Sequence, residues 1–292
     1  MRSKRENMSA VDYSFRLPGT DDVGILMVHG LGGTPVEMRY VAQGLARARH
    51  TVHVCQLAGH CSSLDDLIKA TSSEWYDSVL AAYENLRKEC STIYVAGFCA
   101  GAMLTLKLAI EKQSEIKGMI LYAPAFWYDG WSIPKWLRSL KFLVNTPLRH
   151  LLKLPGREPF GIKDARVRSL VVEHLQSGNS GQVGIAIKAG NSFREIHKLV
   201  KEVKPRLKEL KLPTLLVHSR DDDAVSLKNT FHLQKSMSGV VETVVLDDCY
   251  HIITIDRQRQ LVVDKTRNFI SWLEHASPSK SRVPTELRVA AE

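Results

Sequence analysis

The sequence contains no uninterrupted apolar run close to the roughly 20 residues that a membrane-spanning helix requires, so a bilayer span is not expected. Its opening residues, MRSKRENMSA, are charged and lack the apolar centre of a secretory signal, so a cytoplasmic protein is expected. Cysteine is scarce: Cys55, Cys61, Cys90, Cys99 and Cys249 make an odd set with no C-x-x-C pair, which gives no support to a disulfide framework or a zinc site. No ligand cluster and no dinucleotide-type glycine fingerprint is present, so neither a metal nor an organic cofactor is expected. Internal repeats are lacking as well. The net charge of +9 is not accompanied by any nucleic-acid recognition motif, so it points to an acidic substrate, carrier or surface rather than to nucleic acid.

Short runs rich in β-branched residues recur at 23–28, 52–55, 93–96, 119–122, 215–218 and 242–246. They read as buried strands, because continuous apolarity suits a sheet covered on both faces. Between them, helical spacing appears at 35–49, 74–87, 100–111, 227–237 and 257–275. Alternating strands and helices imply an α/β fold with a mainly parallel sheet. The alternation stops for about ninety residues after Tyr122, and structureless loops of that length are rare in compact domains. We therefore expect a core at 11–125 and 206–276, an inserted helical cap at 126–205, and a flexible tail at 277–292. The cap opens with WSIPKWLRSLKFLVNTPLRHLLKL, where leucines and tryptophans interleave with Lys135, Arg138, Lys141, Arg149 and Lys153. Such a basic amphipathic pattern fits first a helix packed on the domain below, and second an acyl tunnel or a lipid or carrier contact.

Four segments carry chemistry. The strand at 93–96 runs into Gly97-Phe98-Cys99-Ala100-Gly101 and then a helix, a G-x-C-x-G in the context where G-x-S-x-G forms a nucleophile elbow. Taken alone, a cysteine at a strand end is more often core packing. The first strong strand ends in His29-Gly30-Leu31-Gly32-Gly33, whose glycines can turn amides inward, so Leu31 and Ala100 are the candidate oxyanion donors. The strand at 215–218 leads to Asp221, Asp222 and Asp223, any of which could orient a base; the last strand leads to His251. Nucleophile, acid and base thus fall in the chain order that this architecture needs.

With these pieces assembled, the sequence resembles the bacterial carboxylesterase and monoacylglycerol-lipase branch of the α/β-hydrolases over nearly residues 20–275, through HGLGGT, LAGHCSSLDDL with Trp75 downstream, GFCAG, SRDDD and YHIITID. The resemblance implies an α/β-hydrolase fold with a lid, an acid at Asp222, a base at His251, and supporting roles for Gly59, His60 and Asp256. His29, Gly30, Phe98, Trp127, Trp131 and Ile252, which flank the motifs or open the insertion, are the candidate substrate contacts. The family has serine where this chain has Cys99. A thiol is more acidic than an alcohol, and a histidine partner and a helix N-terminus both favour the thiolate. The expectation is a hydrolase of acyl esters or thioesters acting on a small or lipid-like acyl substrate. Two alternatives stand beside it: an acyltransferase or acyl-polymerising enzyme, served by an acyl carrier protein or a coenzyme A thioester, and a non-catalytic acyl-binding protein. Peripheral membrane contact is compatible with all three.

Overall fold

The computed structural model describes residues 11–133, 146, 153–155, 158–176 and 187–276. Its centre is a seven-stranded sheet in the order β1-β3-β2-β4-β5-β8-β9. The strands are β1 Phe15–Leu17, β2 Val23–Val28, β3 Thr51–Cys55, β4 Thr92–Phe98, β5 Gly118–Tyr122, β8 Thr214–Ser219 and β9 Val241–Leu246. The edge strand β1 runs antiparallel to β3, and every other pairing is parallel. The carboxyl ends of β2, β4, β5, β8 and β9 therefore share one edge, the side where open α/β sheets collect their ligand-binding loops. The inner strands β2 and β5 are buried at every residue, which is why they read as unbroken apolar runs.

Helices cover both faces. Helix α1 (Arg39–Ala46) packs on the last helix, α8 (Arg259–Ala276). Gly44 makes that approach feasible, since a Cβ there would sit 2.4 Å from a Val263 methyl. Helices α2 (Leu64–Lys69), α3 (Ser72–Arg87) and α4 (Ala100–Glu111) follow in chain order. Capping boxes start two of them, Ser63 with Asp66 and Thr71 with Glu74, each satisfying backbone N–H groups that a helix start otherwise leaves open. Helix α4 is apolar almost all round and buried from Ala100 to Leu106, a central helix beneath the elbow.

Within 126–205, where a helical cap is expected, the described residues are not all helical. Strands β6 (Lys153–Pro155) and β7 (Ile187–Ala189) form an antiparallel ribbon, flanking α5 (Ala165–Gln176). Helix α6 (Gly190–Val203) is strongly amphipathic and belongs to the body: its Glu195 carboxylate accepts from the Ser72 N–H and hydroxyl, each at 3.1 Å, and its buried residues pack toward α2, α3 and α4. The basic amphipathic stretch with Lys135, Arg138 and Lys141 lies outside the described residues, as does the tail. Among the described residues no helix is long and apolar enough to cross a membrane. Helix α7 (Lys228–Ser236) completes the set.

Candidate active site

Cys99 sits at the turn between β4 and α4 with φ 54° and ψ −114°, a left-handed conformation that costs free energy for a residue with a side chain and marks a strained elbow. Glycines on either side permit the turn. A Cβ on Gly97 would lie 2.3 Å from the Thr105 hydroxyl, and one on Gly101 2.3 Å from the His29 carbonyl oxygen. The Cys99 amide donates to the Tyr122 carbonyl at 2.9 Å, fixing the elbow to β5. The sulfur is nearly buried, with 4% residue exposure, and lies 3.7 Å from the Tyr128 hydroxyl.

His251, on the loop after β9, donates through Nδ1 to Asp222 Oδ2 at 2.7 Å. Its Nε2 is buried with no hydrogen-bond partner in range among the described residues, and the charge of the neighbouring Cys99 adds to the pull on the ring's proton. Burial works against an imidazolium here, but the negative charges of Asp222 and Cys99 outweigh it and hold His251 well above the usual histidine range. Asp222 is likewise desolvated, yet the histidines and its hydrogen bonds keep it strongly ionised. Its Oδ1 accepts from Ala224 N (2.9 Å) and Val225 N (2.7 Å), while Oδ2 also receives His218 Nε2 at 3.1 Å. Every lone pair with room for a partner is occupied, so the carboxylate cannot swing away from His251.

The middle aspartate of SRDDD is thus the one joined to His251. Asp223 accepts the His251 amide at 3.2 Å and the Gly161 amide at 3.2 Å, tying the His251 loop to the Gly161 segment, while burial pushes its carboxyl upward. Asp221 faces outward, where Lys163 bridges it to Asp248. Asp256 is fully buried and accepts from Lys163 N, Asp164 N and Tyr250 N, each at 2.8 Å, a support for the base loop. Of the five thiols, Cys55, Cys61 and Cys249 are pushed up by burial to about 12, which leaves them unreactive at neutral pH.

The His29–Gly33 turn abuts the elbow, since a Cβ on Gly30 would come 3.3 Å from the Cys99 Cβ. Leu31 and Ala100 are both buried, and the Ala100 amide is at the open N-terminus of α4. His29 Nδ1 donates to the Gly30 carbonyl at 2.9 Å and Nε2 accepts from Leu57 N at 3.2 Å, so this ring props the turn. Phe98 packs beside His251, with ring centroids 5.0 Å apart. Ile252 flanks His251 and donates its amide to the Gly161 carbonyl at 2.8 Å. Trp131 is exposed, donates to the Asp221 carbonyl and stacks edge-on with Tyr250. The Trp127 ring meets Phe126, His232 and Lys204, and the structure does not bring it to Cys99. Sequence reasoning missed Tyr128, His218 and Glu37. Tyr128 carries no motif, and its only signal is a place shortly beyond the end of β5. Glu37 accepts the Gly30 amide at 2.6 Å, and His218 looked like one more strand residue.

A family model described as serine aminopeptidase, S33, matches residues 21–258. The chain belongs to the serine aminopeptidase S33 family of hydrolases. It is similar to a thermostable monoacylglycerol lipase of Bacillus sp. (strain H-257), 27% identical over 85% of this chain and 90% of the relative. It is also similar to a carboxylesterase of Bacillus subtilis, 21% identical over 87% and 94% of the two chains. Among solved structures, the Paleococcus ferrophilus monoacylglycerol lipase superposes with a TM-score of 0.74 at 16% identity, covering 91% of this chain and 100% of that one. The soluble variant of Saccharomyces cerevisiae monoglyceride lipase gives 0.75 at 14% identity, over 91% and 92%. At such identities these structures establish the α/β-hydrolase fold.

Proposed function

We propose that the protein hydrolyses acyl esters through a covalent thioester at Cys99, with His251 as base and acid, Asp222 as its orienting carboxylate, and the Leu31 and Ala100 amides as oxyanion donors. One observation carries the reading: a cysteine in the strained strand-to-helix elbow stands beside a histidine whose other nitrogen is bound at 2.7 Å to a buried carboxylate. Similarity to a monoacylglycerol lipase and a carboxylesterase supports esters with lipid-like acyl groups as the substrate class.

The raised His251 and the ionised Asp222 favour a resting thiolate–imidazolium pair. The sulfur lone pair attacks the acyl carbon and the two amides stabilise the oxyanion. As the carbon–oxygen bond to the alcohol breaks, His251 Nε2 gives its proton to the leaving oxygen. Neutral His251 then takes a proton from water, whose oxygen adds to the thioester. The carbon–sulfur bond breaks, releasing the acid and restoring the ion pair.

The test is intact-protein mass spectrometry of wild type and Cys99→Ala mixed with a monoacylglycerol or a p-nitrophenyl acyl ester. An acyl adduct on wild type alone, clearing in water, is expected. An adduct that persists until an amine or thiol acceptor is added would replace hydrolysis by acyl transfer. No adduct with bound acyl ligand would favour a binding protein.

A further inference from the structure

We propose that Tyr128 is a hydrogen-bond donor to the Cys99 sulfur that holds it as a thiolate before substrate arrives. The inference rests on the reading of Cys99 as nucleophile and adds a residue that has no place in the histidine–aspartate arrangement.

The geometry carries it. The Tyr128 hydroxyl lies 3.7 Å from Cys99 Sγ, within range for a hydrogen bond to sulfur. Its ring is braced edge-on against Phe193 of α6, centroids 5.2 Å apart. The backbone on either side is pinned to the segment that follows Asp222. The Phe126 and Trp127 amides donate to Asn229 Oδ1 at 2.9 and 2.8 Å. Asp129 accepts the Ser226 amide at 3.0 Å and hydroxyl at 2.7 Å, and Gly130 N donates to the Ala224 carbonyl at 3.0 Å. The hydroxyl is therefore held in place by the same loop that supplies the acid.

Chemistry sets the direction of the bond. Burial and the neighbouring sulfur charge raise the phenol well above its ordinary value, so it keeps its proton throughout turnover. A thiolate has no proton to give, so the O–H must donate to the sulfur. Among the described residues, the groups facing the sulfur include His251 from the β9–α8 loop, Tyr128 from the β5 side and the N-terminus of α4, with Asp222 and Asp223 behind His251. During attack the sulfur pair passes to the acyl carbon and the Tyr128 bond to sulfur is given up. The proton delivered to the leaving group comes from His251, and Tyr128 ends as it began. Below the thiol midpoint, loss of the hydroxyl should accordingly slow acylation, because the fall in thiolate population exceeds the gain in its nucleophilicity.

The test compares wild type and Tyr128→Phe by the pH dependence of Cys99 alkylation with iodoacetamide, with Cys99→Ala as background. Removing the donor should raise the midpoint by about one pH unit, a tenfold fall in thiolate population on the acid limb. Because a more basic thiolate is the better nucleophile, the alkaline plateau should rise by about threefold. A change that merely disturbed packing would move both limbs in one direction. Phe193→Leu, which loosens the brace and leaves the hydroxyl, should show a smaller shift of the same sign. An unchanged midpoint in a Tyr128→Phe protein of wild-type thermal stability would overturn the proposal. The profile reads the sulfur without any acyl substrate, so failure of the ester-hydrolase reading leaves this result separately legible.

Discussion

Two buried histidines behind the elbow should make the protein acid-sensitive well above the carboxylate range. His29 uses both ring nitrogens, Nδ1 as donor and Nε2 as acceptor of the Leu57 amide, so a second proton would break the latter bond. His60 donates from Nδ1 to the Ala58 carbonyl at 3.1 Å and packs against His29 and Trp75. Burial lowers His29 from 6.5 to about 3 and His60 to about 4. In the unfolded chain both take up a proton near pH 6.5, and in the folded chain neither does until far lower. Stability tied to them is present above pH 6.5 and is lost as pH falls toward 4 and 3. At pH 5 each contributes about 2 kcal/mol of destabilisation, roughly 4 kcal/mol together. His251 works the other way. Its raised pKa stabilises below 6.5 and that contribution is lost as pH rises through the folded value, which offsets less than about 1 kcal/mol between pH 7 and 5. A net loss of about 3 kcal/mol should lower Tm by roughly 6–12 °C. Differential scanning calorimetry from pH 7 to 5 measures it. His60→Phe, which keeps a ring between His29 and Trp75, should remove about two thirds of the slope. A Tm constant across this range, or a slope that survives His60→Phe unchanged, would refute the assignment of neutral buried histidines.

Three further outcomes concern the site. Asp222→Asn should lower kcat/KM for ester hydrolysis by at least about a hundredfold, read in steady-state assays, while Asp221→Asn leaves it within about twofold. Cys99→Ser removes the charge that helps to raise His251, so its base must be neutral to act. Its kcat/KM should rise with pH through the His251 titration, whereas the wild-type value should decline at alkaline pH as the imidazolium is lost; parallel profiles would contradict the ion-pair scheme. Gly101→Ala places a Cβ 2.3 Å from the His29 oxygen and 2.5 Å from the Val28 oxygen, both backbone, and should cost on the order of 3 kcal/mol in chemical denaturation together with most activity.

Buried strands were legible because a sheet covered on both faces demands continuous apolar runs: β2 has the boundaries read from sequence, and the others extend by one to three residues. Strand β1 was not, since FRL is three residues on an edge with only part of its surface buried. Helix α2 escaped because its six residues show capping chemistry rather than a periodic apolar face. In the insertion, spacing implied helices and gave no sign of the β6–β7 ribbon, whose three-residue strands are too short for alternation to register. Within the site, glycine spacing and chain order pointed to Cys99 and His251. Choosing among three adjacent aspartates required either a family resemblance or coordinates. Tyr128 was invisible because its position depends on how Asp129 and Asn229 bind across about a hundred residues of chain.

The anchoring of 126–130 also bears on how such a protein can be rebuilt. Asn229, Ser226 and Ala224 hold the first residues of the insertion, and Glu195 with Ser72 holds its last helix. Grafts of a relative's lid should therefore be joined beyond Ser132 and before Gly190, so that both anchors stay native. A junction placed at Tyr122, where the sheet ends, would discard the clamp on Asp222's own loop along with the transplanted segment.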